Sequence, residues 1–299
     1  MEFRDKLLKT AGKVESALDA LLDGPQLEHT PDRLRQAMRH AMLGGGKRLR
    51  PFLVLETAGL FEVPKAAAMA PALAVELIHG YSLAHDDLPS MDNDTQRRGR
   101  PTVWAAFDDW TAILAGDGLQ TLAFQILAEC DEIVPSARAE LISELAKSSG
   151  AAGMVGGQAM DLEADKLNHP KEVDATHIKR LQAMKTGAII AFSCEAGAIL
   201  ADAPSEKRAA LASYGRHLGY AFQIADDLLD VEGDAETVGK AVAKDAAAGK
   251  ATLVSLMGIT DAKAELSRTV AAAKAALAPF GGKASTLLAA ADFVAERDS

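Results

Sequence analysis

The sequence has little of several residue types, and each shortage excludes a class of protein. It has two cysteines, Cys130 and Cys194, too far apart for a metal-binding motif and expected to be buried free thiols. Its 32 basic residues are outnumbered by 42 acidic ones, and this net charge of −10 argues against a nucleic-acid partner. The N-terminus has no apolar secretory segment, and no apolar run approaches the roughly 18 residues that span a bilayer. We therefore expect a cytoplasmic protein without stable membrane insertion.

Alternating strand patterns are also absent, whereas apolar residues recur at helical spacing along the whole chain. No linker rich in glycine, serine or proline divides the chain. The sequence therefore predicts one all-α domain over residues 1–299, built as a helical bundle. Helices are expected at 3–22, 31–43, 51–60, 65–86, 101–107, 109–130, 135–149, 151–164, 174–201 and 205–231, with shorter ones after 251.

An acidic stretch follows the apolar helix predicted to begin near residue 65. Asp86, Asp87, Asp92 and Asp94 place four carboxylates within nine positions. Carboxylates this dense repel one another unless a cation lies among them. Pro89 is expected to bend or end the helix, so that Asp92 turns back toward Asp86. The arginines that come next indicate that the cation also binds an anionic ligand such as a phosphate compound.

A second acidic cluster lies near the end of the predicted helix at 205–231. Asp226, Asp227 and Asp230 are three or four positions apart, and so share one helical face. Ligands that are all carboxylate oxygens favour hard cations, Mg²⁺ above all. A calcium loop counted from Asp92 is excluded, because Arg97 stands where that loop needs glycine. Two such clusters facing each other would leave room for a diphosphate.

Basic and polar groups accompany both clusters. His79 lies two helical turns before Asp86, and Gln223 lies three positions before Asp226, so each shares a face with an aspartate. A buried core histidine is the alternative for His79. The segment 156–161, Gly-Gly-Gln-Ala-Met-Asp, fits either close helix packing or support of the site. Seven cations lie at breaks in the helical pattern, most of them beside Gly or Thr, where phosphate contact is expected: Lys47, Arg50, Arg97, Arg98, Lys185, Lys240 and Lys250.

In chain order, these motifs resemble the short-chain trans-isoprenyl diphosphate synthases, and most closely their bacterial farnesyl-type members. The resemblance covers residues 44 to 257. It rests on seven segments that occur in the family's order: Gly45-Gly46-Lys47-Arg48-Leu49-Arg50-Pro51, residues 79–92, Arg97-Arg98-Gly99, Gly156-Gly157-Gln158, Lys185-Thr186-Gly187, residues 222–230, and Gly239-Lys240.

The resemblance implies an isoprenoid-synthase helical bundle with a central active-site cavity, usually assembled as a homodimer. It implies the Mg²⁺-dependent head-to-tail condensation of isopentenyl diphosphate with dimethylallyl or geranyl diphosphate. The products would be (2E,6E)-farnesyl diphosphate and diphosphate, formed by ionisation, condensation and elimination. Three Mg²⁺ ions, with Mn²⁺ as a possible substitute, would be held by the two aspartate motifs: Asp86, Asp87, Asp92, Asp226, Asp227 and Asp230.

The other roles implied by the resemblance divide between the two substrates. The allylic diphosphate would be contacted by Arg97, Lys185 and Lys240. The diphosphate of isopentenyl diphosphate would be contacted by Lys47, Arg50, His79 and Arg98. Thr186 and Gln223 would direct oxygens at the carbon that becomes cationic, and Lys250 would belong to a lid.

Product length and overall function keep alternatives open. Tyr81 and Ser82 lie five and four positions before Asp86, about one turn along the helix. Tyr81 is hypothesised to be the floor that favours a C15 product, and core packing with a hydrogen-bonded hydroxyl is the alternative. A geranylgeranyl diphosphate synthase, making C20, differs in pocket depth. A terpene cyclase would not need Lys47, Arg50 and His79, and a non-catalytic partner subunit is expected to have lost aspartates that are present here.

Overall fold

A computed structural model of the chain describes residues 3–166, 174–237 and 252–296. The chain divides into two compact units, Met1–Ile142 and Ser143–Ser299. Helices dominate both units, and the only strands among the described residues form one hairpin of two residues each, Gln96–Arg97 (β1) with Arg100–Pro101 (β2). The predicted all-α class is confirmed.

The first unit is built around a long apolar helix that leads to the first acidic stretch. Its helices are α1 (Phe3–Leu22), α2 (Asp32–Met42), α3 (Leu49–Leu60), α4 (Lys65–Asp86), α5 (Val103–Ala106) and α6 (Asp109–Ala128), with a 3₁₀ turn at Pro25–Leu27. Helix α4 packs against α3 and α6. At Gly80 a Cβ atom would lie 2.1 Å from the sulfur of Met42, so this glycine allows α2 to approach α4.

The second unit is centred on its longest helix, which carries the second aspartate cluster. Helix α7 (Pro135–Ser149) begins in the first unit, and the others are α8 (Met154–Lys166), α9 (Ala175–Gln182), α10 (Ala188–Leu200), α11 (Ser205–Thr237), α12 (Leu253–Met257), α13 (Ile259–Ala276) and α14 (Ser285–Ala295). A 3₁₀ segment spans Ala278–Ala284. Helix α11 packs against α10 and α13. A Cβ at Gly215 would lie 2.7 Å from the Cα of Ala191, so that close approach requires glycine.

Four local features differ from those predicted. Helix α3 begins at Leu49 rather than at Pro51, because a proline in the first turn sacrifices no intrahelical hydrogen bond. The helix predicted at 174–201 contains a π turn, Ala183–Gly187. Helix α11 continues to Thr237, beyond the predicted end at 231. The hairpin of β1 and β2 was not predicted, since two-residue strands are too short to show alternation.

Two features bear on the expected cellular setting. Lys65–Asp86 and Ala175–Leu200 are long and apolar enough to cross a membrane, contrary to the expectation that no segment reaches that length. Of the most apolar 18 residues in each helix, 67% and 56% are buried inside the protein, as in the core helices of a soluble protein. These helices are therefore weak evidence for a membrane span. Both cysteines are free, as predicted, although Cys130 is only half-buried.

Candidate functional site

The first acidic stretch folds back on itself at the end of α4. The helix ends at Asp86, three residues before Pro89. The backbone N–H of Asp92 then donates to the carbonyl of Asp86 at 2.8 Å, and that of Asp94 donates to the carbonyl of Asp87 at 3.1 Å. The predicted turn of Asp92 toward Asp86 is therefore confirmed at the level of the backbone.

Asp87 is the buried member of this stretch, with 3% of its surface exposed. Arg97 donates to its Oδ1 from Nε at 2.8 Å, and Nη2 forms an ion pair with the same oxygen at 2.6 Å. Nη2 also donates to Oδ2 of Asp94 at 3.3 Å. Burial raises the pKa of the Asp87 carboxyl, and Arg97 offsets only part of that rise. Arg97 thus belongs to the same charged cluster as the first motif.

The hairpin of β1 and β2 connects this cluster to the basic loop between α2 and α3. Arg98, whose φ is +54°, donates from Nη1 to the carbonyl of Gly45. Arg100 donates from Nη1 to the carbonyl of Leu43 at 2.8 Å. A pocket in this unit is lined by residues from α2, α4 and the hairpin, including Asp87 and all three arginines. The neighbouring arginines of the hairpin therefore contact different segments. Arg97 contacts the first acidic motif, and Arg98 contacts the basic loop.

The loop places its cations at different depths. Lys47 is exposed, Arg48 is buried and Arg50 is half-buried. His79, on α4, lies close enough to these arginines for their positive charge to change its pKa. Burial lowers its pKa well below the ordinary value of 6.5, and Arg50 is the strongest of the neighbouring cations that lower it further. His79 is therefore a neutral imidazole at physiological pH, able to donate one hydrogen bond to an anion.

The lowered pKa of His79 predicts a loss of stability on acidification. Because the unfolded chain binds this proton more readily, the stabilising contribution is complete above pH 6.5 and is lost as the pH falls below it. The loss is at most ~1.4 kcal/mol per pH unit. We expect His79→Gln to lose less unfolding free energy than the wild type between about pH 7.5 and about pH 5.5, measured by urea denaturation. His29→Gln, at an exposed histidine, is the control and should match the wild type; equal losses in all three proteins would contradict the prediction.

In the second unit, the π turn carries two of the predicted site residues. Lys185 pairs with Asp161 of α8, with 2.5 Å between Nζ and Oδ2, and Thr186 is buried with 9% exposed. π turns inside helices are frequent at functional sites. Gly157 allows α8 to approach the turn, since a Cβ there would lie 2.2 Å from the backbone nitrogen of Lys185. Close packing, one of the two possibilities for residues 156–161, is therefore seen at Gly157. Support of the site by this segment stays a prediction, and the contact of Asp161 with Lys185 is consistent with it.

The second aspartate motif lies on α11, and one of its contacts was missed by sequence analysis. Asp226 and Asp227 are half-buried. Gln182, at the end of α9, donates from Nε2 to Oδ2 of Asp227 at 3.1 Å. Gln182 is 45 positions away and has no motif that would identify it. The side chain of Asp230, and the whole of Lys240 and Lys250, lie outside the described residues.

Tyr81 and Ser82 lie on α4, just before the first motif. Tyr81 is 5% exposed, and its hydroxyl has no hydrogen-bond partner among the described residues. Burial, and to a lesser extent Asp86, raises its pKa to about 12. Ser82 donates to the carbonyl of His79 at 3.0 Å. The burial of Tyr81 fits the core packing of the alternative, whereas the hydrogen-bonded hydroxyl of that alternative is not seen among the described residues. The role of Tyr81 as the floor stays a prediction.

The donor set of the first motif fits a hard cation. Within 3–166, 174–237 and 252–296, no three His, Cys, Asp or Glu side chains are gathered as metal ligands. The backbone nevertheless brings Asp92, which is exposed, beside Asp86, and both supply only carboxylate oxygen. Oxygen ligands with open positions for water and phosphate suit Mg²⁺ better than a metal that needs nitrogen or sulfur.

Comparisons with known proteins point to one family. The family model described as polyprenyl synthetase matches residues 31–278. The chain is 42% identical to a farnesyl diphosphate synthase of Geobacillus stearothermophilus, covering 95% of this chain and 94% of that one. It is 41% identical to a farnesyl diphosphate synthase of Escherichia coli over the full length of both. The crystal structure of an FPP/GFPP synthase from Zymomonas mobilis superposes with a TM-score of 0.87 at 44% identity, covering 98% of each chain.

Proposed function

The chain belongs to the polyprenyl synthetase family of prenyltransferases, and we propose that it makes farnesyl diphosphate from isopentenyl diphosphate and dimethylallyl or geranyl diphosphate. One observation carries the proposal beyond family membership. A single hairpin holds Arg97 against Asp87 and Arg98 against the Gly45 carbonyl of the loop that bears Lys47. Groups suited to two separate diphosphates are thereby joined within one unit.

Each group of residues has a proposed task. Arg97, Lys185 and Lys240 contact the allylic diphosphate, and Lys47, Arg50, His79 and Arg98 bind isopentenyl diphosphate. Arginine suits these contacts because its guanidinium can grip two phosphate oxygens at once. A neutral His79 adds a donor without adding to the charge repulsion among the neighbouring arginines. Lys250 is proposed to close over the bound substrates.

The reaction needs stabilisation of charge and exclusion of water rather than a protein nucleophile. The allylic C–O bond breaks and its electron pair leaves with the diphosphate. The double bond of isopentenyl diphosphate attacks the resulting cation, and the new cation loses a proton to the released diphosphate. Cationic side chains stabilise the growing negative charge on the leaving group. Thr186 and Gln223 direct oxygens toward the allylic carbon, and fixed diphosphate positions supply the orientation.

Mg²⁺ is the proposed cofactor, with three ions shared by the six aspartates Asp86, Asp87, Asp92, Asp226, Asp227 and Asp230. When bound, Mg²⁺ acts as a Lewis acid that neutralises diphosphate charge. The carboxylate-only donors and the turn that joins Asp92 to Asp86 support this choice. Because Arg97 already pairs with Asp87, this arginine can share the leaving diphosphate with the first motif.

The test of the proposed function is product analysis with purified protein. Isopentenyl diphosphate and geranyl diphosphate with Mg²⁺ should release diphosphate and give a C15 product on chromatography. Omitting either substrate, or chelating Mg²⁺, should stop the release. A C20 product would instead assign a geranylgeranyl diphosphate synthase, and no diphosphate release would contradict a catalytic role.

We also propose that the protein is a cytoplasmic homodimer, and one exposed surface supports the assembly. On α6, Trp110, Ile113 and Leu114 are 57%, 43% and 46% exposed at helical spacing, which gives one apolar stripe. Burying such a stripe against the same stripe of a second copy satisfies a twofold interface.

Replacing Trp110 with glutamate is expected to dissociate the dimer, because two carboxylates would meet in an apolar contact. Light scattering should then give the mass of one chain in place of two. Leu8→Glu is the matched control, since Leu8 is also apolar and is 68% exposed on α1. A Trp110→Glu variant that keeps the mass of two chains would contradict this placement of the interface.

A further inference from the structure

Arg48 differs from the other cations of the basic loop because it points into the protein. It is 6% exposed, between exposed Lys47 and half-buried Arg50. Its Nη1 donates to Glu76 of α4 at 2.6 Å. Its Nε and Nη2 donate to Oε2 of Glu15 on α1, at 3.2 and 2.5 Å. One guanidinium thus joins two helices to the loop.

The same side chain also closes the loop on itself. Nη2 of Arg48 donates to the carbonyl of Met42, the last residue of α2. Its own carbonyl accepts from the backbone N–H of Phe52, at 3.0 Å, in the first turn of α3. Arg48 therefore fixes both ends of the segment that connects the two helices.

The loop backbone needs such a restraint. Gly45, Gly46 and Arg48 have φ values of +75°, +133° and +47°. Glycine visits these conformations freely but loses more chain entropy on being ordered, whereas a non-glycine residue adopts them at a cost in free energy. The left-handed Arg48 persists because its guanidinium is held by two carboxylates and a carbonyl.

The two carboxylates lie at different depths, and only Glu76 is as buried as the arginine. Glu76 is 2% exposed, so its charge is buried among apolar residues of α4 and is compensated by Arg48. The Glu15 side chain is 34% exposed and lies at the protein surface. A buried pair of this kind holds one geometry firmly, because breaking it strands a charge away from water.

We propose that Arg48, Glu15 and Glu76 form a positioning triad for the site that binds the diphosphate of isopentenyl diphosphate. The triad touches neither substrate. It holds the loop so that Lys47, on one side of Arg48, and Arg50, on the other, are presented to the same anion without reordering. This inference rests on the proposed function, since it assigns the triad to one of the two proposed substrate sites.

The triad predicts a selective change in substrate affinity. Glu15→Gln removes the surface carboxylate and should raise the KM for isopentenyl diphosphate about 5-fold. Arg48→Lys replaces the several N–H donors of the guanidinium with a single ammonium group, and should raise the same KM about 10-fold or more. The KM for geranyl diphosphate and kcat should stay within about twofold of the wild type. Steady-state kinetics with each substrate varied in turn gives both constants. Glu15→Gln keeps the prediction testable if Arg48→Lys folds poorly.

The matched control is Glu56→Gln. Glu56 pairs with Lys6 at 2.6 Å and so also joins α1 to α3, but it lies outside the triad. A purely structural role for the triad predicts that Glu15→Gln and Glu56→Gln lower Tm alike and leave both KM values unchanged, and that result would overturn the proposal. Calorimetric binding of isopentenyl diphosphate without turnover separates the two hypotheses: it should weaken in Glu15→Gln even if the wild type makes no farnesyl product.

Discussion

Replacing Asp86 with asparagine is expected to lower kcat for diphosphate release by about 10³-fold. Asn keeps the size of the side chain and one oxygen but removes the negative charge that a hard cation needs. Asp86 is half-buried at the end of α4, and its backbone carbonyl still accepts from Asp92, so the turn should survive the substitution. The rate is measured as diphosphate released from geranyl and isopentenyl diphosphates at saturating Mg²⁺.

Asp109→Asn is the control for a general effect of removing a carboxylate. Asp109 is exposed in the first turn of α6 and has no proposed role in the site. It should retain the wild-type kcat within about twofold. An Asp86→Asn variant as active as Asp109→Asn, with unchanged Mg²⁺ dependence, would remove the first motif from the proposed chemistry.

Replacing Tyr81 with alanine is expected to move the main product from C15 to C20. The ring is buried one turn before the first motif, and its removal leaves space for a growing chain. The variant should also be destabilised by about 3 kcal/mol or more, since a large buried side chain is lost. Chromatography of the dephosphorylated products gives the ratio of C15 to C20. An unchanged ratio in a folded variant would contradict the role of Tyr81 as the floor.

Tyr81→Phe separates the ring from the hydroxyl. Because the hydroxyl has no hydrogen-bond partner among the described residues, its removal should leave stability unchanged or raise it. The ring still blocks the chain, so the product should remain C15. A C20 product from Tyr81→Phe would assign control of chain length to the hydroxyl instead.

The parts of the fold and site that follow from local chemistry could be predicted from the sequence. Apolar periodicity predicts the long helices, and Pro89 predicts the turn that returns Asp92 to Asp86. Arg97 and Arg98 could be predicted as cations beside the first acidic stretch, but their division between Asp87 and the Gly45 carbonyl could not. That division depends on the hairpin, whose strands are too short to leave a pattern.

Contacts between distant positions could not be predicted. A count of charges does not distinguish buried Arg48 from exposed Lys47 beside it, because depth is decided by Glu15 and Glu76 on two other helices. Gln182 likewise meets Asp227 only because α9 packs against α11. Such residues become visible once the helices are placed in space.

We propose that the two aspartate motifs act on one diphosphate, and a double-mutant cycle tests this proposal most directly. Asp86→Asn, Asp226→Asn and the double variant are compared by kcat for diphosphate release. Residues that act as a unit are strongly non-additive, so the double variant should lose at most about tenfold more than the slower single variant. Losses that multiply, to about 10⁶-fold in the double variant, would show that the two motifs act independently and would contradict a shared diphosphate.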